Sequence, residues 1–340
     1  MLAAVDCASE NVKSAAQKHR PVTRKHWFKA GTLVSDKIKL DCSLFQSSWF
    51  QVEVALTSQQ STVNRQPKGA CGMVLVKELD AKEWVKTRSS LDGEATFLTW
   101  NGAIYSFVPN EPKKRLFKIV GMSASRCIAD GDGGWEFTSR ELTYYLDPNS
   151  GEILHKWENP WTGEVLTVAH VANNPVQGYF QGIFPAKVDG EITTFSFDLF
   201  PNYPNPLAGD PRFADYSPNP IYQAAELFKL TVPTAELLDP ELVSVSQVIL
   251  SWDRIGPWLA WMKMGNLPGN MIYSATGSKV KSWTDLPQLL QDEIRTRIPL
   301  YQDAPQSQLD VEDMTSWIYF EKNFEAYLAG ERFPLPAAAE

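Results

Sequence analysis

From residue 96 onward, short apolar runs alternate with clusters of turn-forming residues, at intervals too short for helical crossovers. Thr96-Phe97-Leu98-Thr99-Trp100 and Ala103-Ile104-Tyr105-Ser106-Phe107 flank Asn101-Gly102. Asn-Gly between two apolar runs is a strong hairpin signal, because both central residues of a type I′ turn take positive φ. The pattern therefore predicts a tight hairpin at Asn101-Gly102. Strand-like runs follow over 116–128, 135–146, 152–157 and 164–171. They are separated by Asp130-Gly131-Asp132-Gly133-Gly134, Asp147-Pro148-Asn149-Ser150-Gly151 and Asn159-Pro160-Trp161-Thr162-Gly163. Runs over 178–184, 192–200, 221–232, 243–252 and 271–282 extend the same habit. Parallel βαβ units need crossovers of a dozen or more residues, so the order predicts a mainly β protein built as an antiparallel meander. Such a meander hides its edges by closing or by stacking two sheets, and a lipocalin- or calycin-like barrel is the expected form.

The C-terminal part changes period. Thr284 is read as the cap of a helix reaching about 298, with Asp285 in its first turn. A second helix is predicted over 311–328, ending at Ala329-Gly330. On it Trp317, Phe320, Phe324 and Tyr327 recur at three- and four-residue spacing, as one buried face requires. The stretch 201–220 holds six prolines and reads as a long irregular loop, functional or mobile. Residues 1–25 read as a polar leader, 26–305 as one barrel-like domain with a surface loop over 58–64, and 306–340 as a helical segment packed upon it.

Composition narrows the chemistry. Twelve Trp, 11 Tyr and 17 Phe in 340 residues suit half-buried pleated surfaces and also line apolar pockets. The net charge of −8 argues against a phosphate-backbone binder, so no nucleic-acid partner is expected. Cys7, Cys42, Cys71 and Cys127 have no metal-type spacing and read as reduced thiols; no metal is expected. There is no signal-type apolar core near the N-terminus, and no run of the roughly 18 apolar residues that would span a bilayer. Those two absences point to the cytosol. Nucleotide and dinucleotide fingerprints and the serine-hydrolase elbow are missing, so no cofactor is expected.

The most distinctive segment is 251–265, where Trp252, Trp258, Trp261, Met262 and Met264 crowd between Gly256-Pro257 and Gly265. Buried Trp wants a partner for its N–H and Met adapts to irregular space, so the segment suits a pocket wall or a core plug, and can be both. Together with Asn159-Pro160-Trp161-Thr162-Gly163, Ser139-Arg140-Glu141 and His170-Val171-Ala172-Asn173-Asn174-Pro175-Val176, it resembles a family of fungal and bacterial proteins known as domain of unknown function 1838. The resemblance spans about 84–305 and implies one domain there, without an established mechanism. The family's usual continuation after the histidine is Asn-Asp-Pro, where this chain has Asn174 in place of the acid.

His170, at a strand end beside amides, is the general acid–base candidate, with a structural histidine as the plainer alternative. His155 has less support. Arg126 and Arg140 fall on neighbouring predicted strands and are expected to share a face inside the barrel, holding a carboxylate or enolate, unless Arg140 with Glu141 marks a solvent face. Arg254 with Asp253 reads as a local salt bridge. Tyr105 joins His170, Arg126 and Arg140 as a catalytic candidate. Trp258, Trp261, Met262, Met264, Tyr273, Asn174 and Trp100 are candidates for substrate contact. The expected function is a cofactor-independent isomerase or cyclase, pericyclic ring closure included, acting on a small hydrophobic terpenoid or polyketide-like metabolite. The alternatives are a lipocalin-like carrier of a similar ligand and a scaffold using the 201–220 loop. A homodimer is compatible with the pattern.

Overall fold

The computed structural model describes residues 75–337. The expected leader, the 58–64 loop, Cys7, Cys42 and Cys71 lie outside the described residues. Strand β1 (Leu75–Asp80) leads into helix α1 (Ala81–Arg88), whose entry is fixed by a capping box between Asp80 and Glu83. Three long strands follow: β2 (Thr96–Phe107), β3 (Lys114–Ala129) and β4 (Trp135–Leu146). A small hairpin, β5 (Lys156–Glu158) and β6 (Val165–Thr167), precedes β7 (Val171–Phe180), β8 (Ile183–Asp189) and β9 (Ile192–Leu199). A second small hairpin, β10 (Asn202–Pro204) and β11 (Ile221–Gln223), leads to β12 (Ala225–Pro233) and the short α2 (Thr234–Leu238). Strands β13 (Ile249–Gly256) and β14 (Asn270–Val280), then α3 (Gln288–Thr296), α4 (Ser316–Lys322) and α5 (Phe324–Leu328), complete the chain.

Ten strands form one antiparallel sheet in the order β1-β8-β9-β12-β13-β14-β2-β3-β4-β7, curled into a half-barrel. The curl is a covalent necessity. Strand β7 is one edge of the sheet and β8 lies next to the other edge, yet only Gln181 and Gly182 separate them. Three Cα steps reach about 11 Å at most, so the two ends of the sheet must meet at this corner. Gly182, at φ +81°, makes the turn, and its carbonyl accepts the Ala81 N–H at 2.8 Å.

Directly paired residues share a face, so the ladders identify what lies inside. One row runs Phe195, Leu230, Leu250, Gly277, Trp100, Gly121 and Thr143 from β9 to β4. Helix α1 lies against this face. Its Trp84 touches Phe180 of β7, Phe184 of β8 and Phe195 of β9 at ring separations of 5.2–5.9 Å, which closes the corner with aromatic packing rather than hydrogen bonds. The helix is held in place from both sides. Lys279 of β14 donates to the carbonyls of Lys86 (3.0 Å) and Ser89 and to Ser244 Oγ (2.6 Å), covering the helix C-terminus. Lys86 in turn donates to the carbonyls of Leu237 (2.7 Å) and Asp239 (2.6 Å) at the end of α2.

The opposite face of β3 and β4 is also buried. Val120, Met122, Leu142 and Tyr144 pack there against Leu290 and Ile294 of α3. One end of the half-barrel is stopped by the segment after β13, where Trp258, Trp261 and Met262 pack with Phe213, Trp317, Phe320 and Phe324. The 201–220 stretch therefore contributes core: Tyr203, Leu207 and Phe213 are all buried.

Several local expectations change. No hairpin forms at Asn101-Gly102. Strand β2 runs straight through, with Gly102 paired to Ala275 on one side and Ile119 on the other. A Cβ at Gly102 would stand 2.2 Å from the Ser274 carbonyl oxygen, so this glycine serves close strand approach, the other use of Gly in a strand. The first C-terminal helix starts later than expected, after a 3₁₀ turn at Trp283–Asp285 capped by Ser282, because Pro287 lacks the N–H to continue a helix. The second begins at Ser316, with Thr315 accepting the Ile318 N–H at 3.3 Å. It breaks at Asn323, whose side chain donates to the Tyr319 carbonyl at 2.8 Å and competes with the backbone. The predicted run over 178–184 is split by the Gln181-Gly182 corner, and that over 243–252 pairs only from Ile249.

Among the described residues, no helix is long and apolar enough to cross a membrane. Replacing Gly102 by Val should destabilise the fold by at least about 2 kcal/mol, the scale of forced overpacking. Equilibrium denaturation, with circular dichroism confirming retained β content, measures the loss.

Candidate functional site

The residues singled out in the sequence do not form one cluster. His170 is buried and its Nδ1 accepts the Tyr145 backbone N–H at 3.1 Å. Its ring lies between those of Tyr144 and Tyr145, beside a void of about 10 Å³ bordered by Trp261 and Trp317. Burial drives its pKa down to about 3, so it is neutral at ordinary pH. Tyr105 lies near the far end of β2 with Lys113 over its ring. Trp258 donates to the Leu267 carbonyl at 3.0 Å, and Asn159 donates to the Met262 carbonyl and to Met264 Sδ. These side chains, with Trp261, are at most 7% exposed.

Arg126 and Arg140 do share a face, but it is the outer one. Arg126 pairs with Thr138 and Arg140 with Ala124 in the ladder, the same parity as Met122 and Leu142. Arg126 bonds Asp303 at 2.9 Å, and Arg140 donates to the carbonyls of Leu300 (3.2 Å) and Asp303 (3.1 Å) and to Asn174 Oδ1 (3.0 Å). Both clamp the stretch after α3 onto the sheet, beside a surface groove of about 330 Å³. Asn174 accordingly belongs to this outer clamp, and the departure from the family's Asn-Asp-Pro falls there too. Arg254 is not paired with Asp253. It reaches Glu226 at 3.4 Å and Tyr222 Oη at 2.7 Å, under the ring of Tyr273, because residues 253 and 254 point to opposite faces of β13.

The inner face carries a different constellation. Arg88, from the last turn of α1, donates to Ser125 Oγ at 2.8 Å and Ser123 Oγ at 3.3 Å, over the ring of Phe137. Ser123 is paired with Glu141, and Glu141 with Asn173, whose amide donates to Glu141 Oε2 at 3.3 Å. Burial pulls the Arg88 pKa down and pushes that of Glu141 up, each opposed by the other's charge. Yet among the described residues the hydrogen-bonding side chains on Arg88 are the two serines, and on Glu141 the single amide. The two opposite charges thus influence one another without any ion pair or hydrogen bond that joins them.

Further polar atoms around them lack partners. Trp100 Nε1, Ser139 Oγ and Asn173 Oδ1, all buried, make no hydrogen bond. Each such atom costs about 1–3 kcal/mol when nothing satisfies it; five more occur at Trp84, Arg126, His170, Arg254 and Trp261, and these three are the ones that accompany the Arg88–Glu141 couple. Ser139 sits two residues from Glu141 on the same face. The Trp100 indole lies over Gly121, where a Cβ would stand 2.3 Å from its Nε1. Trp100, Trp252, Phe228, Phe197, Arg88 and Glu141 all point inward and all stay only half-buried, so the described residues do not fill this face. Its floor of Gly102, Gly121, Gly277 and Ala275 is correspondingly low. Glu226, held by Arg254 and by Trp252 Nε1 at 3.2 Å, adds to the upward push on Glu141.

Of the expected site residues, Trp100 and Tyr273 lie on this inner face. Arg88 was not singled out, and Ser139, Glu141 and Asn173 entered only as members of the family-like motifs, not as site candidates. Their signal is weak because β4 alternates Phe137, Ser139, Glu141, Thr143, Tyr145 against Thr138, Arg140, Leu142, Tyr144, Leu146, and neither series looks more interior than the other.

The profile of the family described as "Protein of unknown function (DUF1838)" matches residues 93–324. That is more than half of the chain, and the chain belongs to this family. No curated protein matches it.

The buried neutral His170 has a consequence for acid stability. Unfolding restores its ordinary affinity for a proton, so stability should fall as pH drops below 6.5 toward 3 and be insensitive to this group above 6.5. His170→Asn, whose Oδ1 stands where Nδ1 accepts from Tyr145, should flatten that part of the curve. Urea midpoints measured across pH 3–7 for both proteins check it.

Proposed function

We propose that this member of the DUF1838 family is a cofactor-independent enzyme that holds a small, largely apolar carbonyl compound on the inner face of the half-barrel and shifts a proton within it. The observation that supports this reading is the unjoined Arg88–Glu141 couple on an aromatic, partly unfilled face. Isomerisation of an unsaturated carbonyl compound is the simplest such reaction, and a cyclisation that begins by enolisation uses the same step. Terpenoid- or polyketide-like molecules fit the walls of Trp100, Trp252 and Phe228.

The chemistry follows from the placement. Glu141, ionised, takes the proton from the carbon next to the carbonyl. The electron pair of the broken C–H bond becomes the C=C bond of an enolate, and the carbonyl oxygen gains the charge. Arg88 faces that oxygen with donors left over after Ser123 and Ser125, in a setting where a fixed donor is worth more than in water. The protonated Glu141 then returns the proton to a different carbon. A carboxylate raised by burial is a stronger base than one in water, which moves it toward the working range of a general base. Asn173 holds the carboxylate in place.

The test uses 2-acetylnaphthalene in deuterium oxide, with loss of its acetyl proton signal followed by NMR. The wild type should accelerate the exchange, and Glu141→Gln should lower the accelerated rate by about 10²–10⁴-fold, the usual worth of a positioned base. Arg88→Met should also slow it. A wild type that binds the ketone without exchanging its protons would instead favour a carrier.

A further inference from the structure

We infer that the molecule held at Glu141 presents a hydroxyl group beside its carbonyl, as an α- or β-hydroxy ketone or the enol of a dicarbonyl, on a flat apolar body. The inference rests on the proton-shift reading and names its substrate class. It comes from what the unpartnered atoms ask for. Arg88 and Trp100 Nε1 can only donate, so they require acceptor oxygens. Asn173 is different. Its Nδ2 is committed to Glu141 at 3.3 Å, which fixes the amide and leaves Oδ1 buried without a donor. A guest that satisfies this patch must therefore supply an O–H or N–H as well as a carbonyl.

The other common polar groups fit less well. A plain ketone satisfies Arg88 and Trp100 but leaves Asn173 Oδ1 unpaired. A carboxylate would bring a second negative charge against Glu141, already pushed toward its neutral form by burial and by Glu226. An ammonium group would lie against Arg88. A neutral hydroxyl answers Asn173 without adding charge, and Ser139 Oγ, which can donate or accept, is placed to share it. A site with a buried acceptor discriminates strongly against a guest that lacks the matching donor, because the acceptor is then left unpaired.

Three probes separate the possibilities: 2-(hydroxyacetyl)naphthalene, 2-acetylnaphthalene and 2-(methoxyacetyl)naphthalene, titrated against the intrinsic tryptophan fluorescence. The hydroxyacetyl compound should bind at least tenfold more tightly than the other two. In Asn173→Leu its affinity should drop to that of the acetyl compound. Equal affinities on the wild type, a preference that survives Asn173→Leu, or no binding of any probe would overturn the inference. The comparison on the wild type needs no variant to fold. Equal affinities together with Glu141-dependent proton exchange would remove the hydroxyl and leave the proton-shift reading intact.

Discussion

The architecture depends on a short piece of chain. Because Gln181 and Gly182 alone connect β7 to β8, strands at opposite ends of a ten-strand sheet are tied within about 11 Å. A flat sheet of that width would hold them several strand spacings apart. The sheet must curl, and on its inner face Trp100, Trp252, Phe228 and Phe197 stay half-buried. Helix α1 occupies part of that face, and the aromatic contacts of Trp84 with Phe180, Phe184 and Phe195 seal the corner where no ladder runs. The candidate site lies on the half-buried remainder of that face.

The same geometry explains the electrostatics. Arg88 reaches the inner face because α1 is inside the curl, and α1 stays there because Lys279 and Lys86 terminate it and α2 with hydrogen bonds to free carbonyls. Those two lysines are fully engaged by several acceptors and act as structural ties. The Arg88–Glu141 couple differs. A protein built only for stability would join the two charges or replace them with apolar side chains. Here the charges stay apart, and nearby Trp100, Ser139 and Asn173 carry unsatisfied atoms. Unpaired buried polar atoms also occur at Trp84 Nε1, Arg126 Nε, His170 Nε2, Arg254 Nη1 and Trp261 Nε1, so what sets this patch apart is the unjoined couple of opposite charges among its unpaired atoms. Asp313 extends the acidic neighbourhood: burial, reinforced by Glu141, pushes it up to about 6 while it accepts the Gln177 N–H at the β7 edge.

His170 and the tryptophans after β13 occupy a second environment. Chemistry-bearing side chains that drew attention in the sequence lie there in densely packed surroundings, with His170 Nε2 and Trp261 Nε1 buried and unpartnered. His170 is neutral between two tyrosine rings, and Trp258 and Trp261 lie in the plug with the C-terminal helices. Residue type alone does not separate a histidine that accepts a backbone N–H from one that moves protons; here Nδ1 accepts the Tyr145 N–H while the buried Nε2 has no partner.

The antiparallel β character, the ends of β4 and β9, the turns at 130–134, 147–151 and 159–163, and the buried stripe of Trp317, Phe320, Phe324 and Tyr327 are local. Alternation, glycine and proline chemistry, and helical spacing encode them directly, so the sequence by itself determined them. Asn101-Gly102 shows the boundary. The same dipeptide makes a turn or permits close packing, and only the neighbours Ala275 and Ile119, far away in the chain, decide between them. The site lies wholly beyond that boundary. Both faces of β3 and β4 are buried, one under α3 and one against α1, so polarity along the strand cannot tell inside from outside. Arg126 and Arg140 were legible as a same-face pair. That their face is the outer one, and that Glu141 opposes Arg88 across the inner one, was decided by the curl of the sheet.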